Sequence, residues 1–295
     1  MPWLINATQL NKFRKNQKSL IVLDASWHMP SENRNARQEF IDNHIMGAQF
    51  FDITLFNDPD SHLPHGNMVL TNEQAISEKM SALGIRNDYK IILYDNSSLH
   101  TACRALWMFK LFGHNPQLLY ILDGGLNAWN QVGGKTESGE PTVSARQYNA
   151  TFQPQFIRTL EQMKQNFHSP AEQVIDVRHA VRYAGGPESR PGLRAGHIPG
   201  SFCFPFTSFF DKDNCWRPLD KIRQQLFSMG VDLKTPIIST CGSGTTAPIV
   251  NFTLDLLEQP NNAVYNGSWT EWGAEKLFAG ETSVEERPIK TCVDN

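Results

Sequence analysis

Four short motifs recur in the same order in the two halves of this chain, and that repetition restricts the possible folds more than any other feature. The first set is Ile21-Val22-Leu23-Asp24-Ala25-Ser26, His44-Ile45-Met46-Gly47-Ala48, Ile91-Ile92-Leu93-Tyr94-Asp95 and Leu122-Asp123-Gly124-Gly125-Leu126-Asn127-Ala128-Trp129. The second is Val174-Ile175-Asp176-Val177-Arg178, His197-Ile198-Pro199-Gly200-Ser201, Ile237-Ile238-Ser239-Thr240-Cys241 and Tyr265-Asn266-Gly267-Ser268-Trp269-Thr270-Glu271-Trp272. Each match lies about 150 residues downstream of its counterpart, and changes in loop length account for the drift. The order implies an internal duplication. Each apolar run is short, β-branched and bounded by turn residues, the signature of a buried parallel strand. Between the runs, Ala102, Ala105, Leu106 and Phe109 fall at helical spacing, as do Ile249, Phe252, Leu256 and Leu257. Pro248 stands where the first turn of the second helix belongs, a position proline tolerates. Alternating strands and helices give an α/β fold of two domains, each a parallel sheet flanked by helices. The stretch from Gly133 to Pro141 has linker composition. The expected division is a first domain over 1–134, a linker over 135–156 and a second domain over 157–295.

Composition narrows the function. With 295 residues there is room for two ordinary cores. A hydrophobic share of 40%, a charged share of 19% and a net charge of −3 argue against bulk attraction to nucleic acid or an anionic membrane. The five cysteines, Cys103, Cys203, Cys215, Cys241 and Cys292, show no C-x-x-C spacing, so neither a disulfide framework nor a zinc site is expected. The N-terminal residues lack the basic flank and apolar stretch of a signal peptide. Dependence on a free thiolate fits a reducing cytoplasm.

The thiol in question is Cys241. It opens the run Cys241-Gly242-Ser243-Gly244-Thr245-Thr246-Ala247, directly after a strand-like stretch and before a helix. Active loops in α/β sheets lie at the carboxyl ends of strands. A small-residue loop there turns its N–H groups inward, and the helix start adds positive potential. Both favour a thiolate or a persulfide anion, so Cys241 is expected to be an ionised nucleophile. Gly-Ser-Gly behind it is a poor core sequence, which weighs against an ordinary buried cysteine.

This loop resembles the active-site loop of the rhodanese superfamily, and most closely that of its 3-mercaptopyruvate sulfurtransferase branch, where Cys-Gly-Ser-Gly is followed by a residue, Thr and Ala. The thiosulfate-preferring branch carries Arg and Lys where this chain has Gly242 and Ser243. Cys-dependent phosphatases share the strand, loop and helix, but they need an arginine where this chain has Ala247. The resemblance covers roughly residues 4–290 and implies a catalytic second domain and an inert first one. Consistent with that, Asp95 is the counterpart of Cys241, and a carboxylate cannot carry sulfane sulfur.

The resemblance extends residue by residue. Arg182 and Arg190 match two arginines that hold the carboxylate and ketone of mercaptopyruvate, a natural task for guanidinium groups. Arg194 is a spare. Gly242, Gly244, Thr245 and Thr246 form the cradle for the sulfur. Ser243 is expected to donate to the persulfide or relay a proton, and His65 matches a family histidine that reaches the site from the inert domain. The family completes that relay with an acid, but Thr54 stands there, leaving Asp52 or Asp58 as alternatives. Arg178 with Asp176, and His44 with His197, read as structural, because the histidines repeat in the inert copy as well. Trp269 reads as packing beside the loop, and Cys292 as a bystander.

The expected activity is transfer of sulfur from 3-mercaptopyruvate through a Cys241 persulfide to a thiol such as thioredoxin, or to cyanide, releasing pyruvate. No metal or organic cofactor is required. Two alternatives stay open: a thiosulfate:cyanide sulfurtransferase, and a non-catalytic rhodanese-like module that binds a partner or senses persulfide.

Overall fold

A computed structural model describes residues 3–16, 19–61, 63 and 68–292. The chain forms two units. Of the described residues, those within 1–59, 70–153 and 210–216 make up unit 1, and those within 60–69, 154–209 and 217–295 make up unit 2.

In unit 1 the strands are β1 (Trp3–Ile5), β2 (Leu20–Asp24), β3 (His44–Ile45), β4 (Ala48–Phe50), β5 (Lys90–Tyr94), β6 (Leu119–Leu122) and β7 (Thr136–Glu137). Helices α1 (Ala7–Asn16), α2 (Ala36–Asp42), α3 (Glu73–Ala82), α4 (Ala102–Leu111) and α5 (Gly125–Gln131) connect them. Five strands form a sheet in the order β1-β6-β5-β2-β4, and all of its pairings are parallel. The central strands are buried along nearly their whole length, which is why their apolar runs do not alternate. The short strands β3 and β7 pair antiparallel, so Thr136–Glu137 goes with unit 1. Further on, the N–H groups of Arg146, Thr151 and Gln153 donate to carbonyls of Ser81, Phe112 and Leu111.

Unit 2 repeats the plan with β8 (Ile157–Arg158), β9 (Gln173–Asp176), β10 (Phe202–Cys203), β11 (Ile237–Thr240) and β12 (Asn262–Tyr265). Its helices are α6 (Leu160–His168), α7 (Ala180–Tyr183), α8 (Leu219–Ser228), α9 (Pro248–Leu256) and α10 (Ser268–Trp272). The order is β10-β9-β11-β12-β8, again all parallel. Read from the opposite edge, this is the order of unit 1, with β11 in the place of β5. The duplication read from sequence is therefore a duplication of topology. Pro248 occupies the first turn of α9, as expected.

Each unit has its own core. Val22, Ile92, Leu122 and Trp129 contribute to that of unit 1; Val174, Ile238, Trp269 and Trp272 contribute to that of unit 2. The repeated histidines are structural in the same way. His44 Nδ1 lies 2.7 Å from Phe40 O, with its ring stacked on Phe40; His197 Nδ1 lies 2.7 Å from Tyr183 O, with its ring stacked on Tyr183. Among the described residues, no helix is long and apolar enough to cross a membrane.

Candidate active site

Cys241 comes directly after β11, at the carboxyl end of the strand, and is 2% exposed. The loop closes back on its sulfur. Gly244 N–H donates to Cys241 Sγ at 3.1 Å, and Ser268 Oγ stands 3.8 Å away. Gly244 adopts φ +86°, a left-handed conformation that a side chain would strain. Burial pushes the Cys241 thiol up. The Thr246 hydroxyl and the N–H groups of Ala247, Ser243 and Thr246 outweigh it and hold the thiol below its ordinary value of 9.0. This is the amide cradle expected from Gly-Ser-Gly.

The outer side of the loop is fixed by α10. Trp269 N–H donates to Cys241 O at 3.0 Å and Thr270 N–H donates to Gly242 O at 2.9 Å. Ser268 is left-handed at φ +51°; its hydroxyl accepts from Cys241 N–H at 3.2 Å and donates to Tyr265 O at 2.8 Å. Ser268 and Thr270 escaped the reading from sequence. The only signal was their place after the turn that closes the repeat.

Two guanidinium groups stand over the loop. A Cβ at position 242 would lie 3.5 Å from Arg182 Nη1 and 3.6 Å from Arg190 Nη2. Glycine thus leaves the space between the arginines and the cradle open. Arg190 Nη1 donates to Thr270 Oγ1 at 2.8 Å and to Gly242 O at 3.2 Å, while its Nη2 is buried with no hydrogen-bond partner among the described residues. Arg182 sits on the short helix α7 rather than in the loop expected for it. Between them in sequence, Glu188 joins the two, with Oε2 2.5 Å from Arg182 Nη2 and Oε1 3.2 Å from Arg190 Nε. Glu188 was not singled out from sequence, although an acid between two arginines was a visible signal.

The other candidates divide. The Ser243 hydroxyl pairs with Thr245 Oγ1 at 3.2 Å, and the Ser243 contribution at the sulfur is its backbone N–H. His65 lies outside the described residues. Thr54 donates its hydroxyl to Asp52 Oδ1 at 2.6 Å, so Asp52 is engaged locally. Arg194 is structural, donating to Trp272 O and Arg287 O. Arg178 grips Asp176 with contacts of 2.6 and 2.9 Å and lies over the ring of Trp269. The Trp269 indole donates to Arg194 O, and the side chain is packing. Cys292 is exposed. Among the described residues no cluster of side chains is arranged to hold a metal ion.

Unit 1 has a cavity of about 210 Å³ at the corresponding end of its sheet, lined in part by Asp95, Ser97, Cys103 and Trp216. Here the loop amides turn to the side chain of Asp95 itself: Ser97 N–H donates to Oδ1 at 3.1 Å and Ala102 N–H to Oδ2 at 2.7 Å. A carboxylate occupies the cradle that holds sulfur in unit 2.

Comparison with known proteins agrees with this arrangement. The family model for the rhodanese-like domain matches twice, over residues 6–132 and 159–275. The chain is 38% identical over 256 residues to human 3-mercaptopyruvate sulfurtransferase, spanning 86% of this chain and 84% of that protein. It is 37% identical over 281 residues to the mitochondrial thiosulfate/3-mercaptopyruvate sulfurtransferase 1 of Arabidopsis thaliana, spanning 88% of this chain and 73% of that one. The crystal structure of SseA from Escherichia coli, described as a 3-mercaptopyruvate sulfotransferase of rhodanese fold, superposes with a TM-score of 0.80 at 32% identity, over 92% of this chain and 100% of the other. A repeated parallel sheet, a cysteine loop in one copy and a carboxylate in the other thus have one common explanation: the chain belongs to the rhodanese family, with two rhodanese-like domains in tandem.

Proposed function

We propose that this protein is a sulfurtransferase that takes sulfur from 3-mercaptopyruvate, carries it on Cys241 as a persulfide, and passes it to a thiol. The observation that carries the reading is the joint geometry at residues 241 and 242: a sulfur in a cradle of N–H donors, with two guanidinium groups over the adjacent glycine. Arg182 and Arg190 bind the carboxylate and ketone of the donor. The Cys241 thiolate attacks the donor sulfur, the carbon–sulfur bond breaks, and its electron pair leaves on the pyruvate enolate. That enolate takes up one proton, a step assigned to Ser243 and His65. An acceptor thiolate, such as that of thioredoxin, then attacks the outer sulfur and restores the Cys241 thiolate. Gly242, Gly244, Thr245 and Thr246 hold the charged sulfur throughout. The names of the human and Escherichia coli relatives support this donor. All five cysteines are free, which fits a cytoplasmic setting for a reduced nucleophile.

Cys241→Ser tests the assignment. Pyruvate release should fall to background while the circular dichroism spectrum is kept. Wild type exposed to the donor should gain the mass of one sulfur on Cys241. Wild-type pyruvate release by the serine variant would refute it.

A second reading, thiosulfate as donor, draws on the double name of the Arabidopsis relative. Comparing sulfite release from thiosulfate with pyruvate release from 3-mercaptopyruvate decides between them.

A further inference from the structure

We infer that Glu188 is a positioning residue that sets donor specificity: it pins the guanidinium groups of Arg182 and Arg190 beside Gly242 and cancels one of their two charges, so the site favours a donor with one negative charge over a dianion. The inference rests on the function proposed above and deepens it.

The geometry of this carboxylate differs from that of a surface ion pair. The Glu188 side chain is 4% exposed, whereas its partners Arg182 and Arg190 are 31% and 24% exposed. Oε2 holds Arg182, while Oε1 takes both Arg190 Nε and, at 3.3 Å, the Arg190 backbone N–H. Each carboxylate oxygen is thus committed to a different arginine. Burial pushes the Glu188 carboxyl up, but Arg182 and Arg190 outweigh it and keep the group ionised. A buried carboxylate so placed costs desolvation, which its two charge-assisted partners offset. Rotation of either arginine away from Gly242 would leave one buried carboxylate oxygen without its charged partner, so the carboxylate favours both guanidinium groups staying in place together.

Charge counting then bears on the donor. Arg182 and Arg190 supply two positive charges at the loop; Glu188 and the Cys241 thiolate supply two negative ones. A carboxylate donor adds one negative charge to a balanced site, whereas thiosulfate adds two. Removing the charge of Glu188 relieves the dianion of one more unit of repulsion than the monoanion. A unit charge acting across several ångströms in a partly buried cleft corresponds to about tenfold or more in relative kcat/KM.

The experiment compares full-length wild type, Glu188→Gln and Glu188→Asp. For each, kcat and KM are measured with 3-mercaptopyruvate and with thiosulfate, and the pH dependence of Cys241 alkylation by iodoacetamide is recorded. Glu188→Gln should lose about tenfold in kcat/KM for 3-mercaptopyruvate, mainly through KM, while thiosulfate is unchanged or improved. Its alkylation midpoint should move to lower pH, because two uncancelled cations stabilise the thiolate. Glu188→Asp keeps the charge and should keep the donor ratio even where activity drops, and it serves as the folded comparison if the glutamine variant does not fold. Equal losses for both donors with an unmoved alkylation midpoint would show a merely structural residue and overturn the inference. If wild type turns over neither donor, the proposed function fails by itself; the midpoint shift between wild type and Glu188→Gln still supports or overturns the charge cancellation.

Discussion

At the scale of single residues, the two copies show what a ring of amides demands. In unit 2 the N–H groups surround a sulfur and offset the cost of burying its charge. In unit 1 they receive Asp95 instead, and the outcome is different. Burial pushes the Asp95 carboxyl up to about 7; the N–H groups of Ala102 and Ser97 pull it back only in part. Below its ordinary 3.8 the group is protonated whether the chain is folded or not. As pH rises from there toward about 7, the unfolded chain releases the proton first, so folding must retain one and stability falls; above about 7 the loss is complete. Asp95→Asn should therefore flatten the decline in thermal midpoint between about pH 4 and pH 7.5, with other titrating groups common to both proteins. Parallel pH slopes for the two proteins would disprove the assignment. The shape of the cradle was legible in Cys241-Gly242-Ser243-Gly244, because backbone amides at a strand end need only small residues to converge. The role of Glu188 was not, since an acid in a Gly/Pro-rich loop declares its charge but not the direction of its side chain.

Among the elements, α10 does the most for the loop although it has only five residues. The N–H groups of Trp269 and Thr270 and the Thr270 hydroxyl all turn to carbonyls of residues 241 and 242. Thr270 Oγ1 donates to Gly242 O and accepts from Arg190, so it couples the loop to the guanidinium pair. Thr270→Val keeps the volume and removes both bonds. It should cost about 2 kcal/mol in urea unfolding and raise KM for the donor more than it lowers kcat. An unchanged KM would separate α10 from donor binding. The longer elements were readable beforehand. The β5 and β11 runs and the helical spacing through Phe109 and Phe252 each match an observed strand or helix, because these elements are buried along nearly their whole length and burial keeps their residues largely apolar. The short α7 was hidden. Four residues are too few for a periodic pattern, and the Gly/Pro-rich stretch beyond Tyr183 supplies none.

For the molecule as a whole, the notable feature is the composition of the units. Residues 210–216 come from the second copy yet belong to unit 1, and the described residues within 60–69 come from the first copy yet belong to unit 2. Each lies after a 3-10 turn at the same place in the repeat, Phe206–Phe209 and Ile53–Phe56 respectively. Within unit 1, Phe210 stacks on His100 with centroids 3.4 Å apart, and Trp216 N–H donates to Asp123 Oδ1 at 2.9 Å. Within unit 2, Asn266 Nδ2 donates to Met68 O at 2.9 Å. Nothing local in the sequence announces this membership, because irregular segments choose partners by shape rather than by period. Phe210→Ala should destabilise unit 1 by about 3 kcal/mol. Hydrogen exchange should then quicken in α4 and around His100 while β11 keeps its protection. Equal loosening of β11 would contradict the division.

That membership bears on how such chains can be recombined. A crossover near residue 150 looks harmless from the repeat, since it falls between two complete copies. Yet the piece that finishes each half is encoded in its neighbour. A hybrid made there would give both new companions a closing segment shaped for a stranger, so grafted halves should inherit activity only when those two short pieces travel with the body they complete.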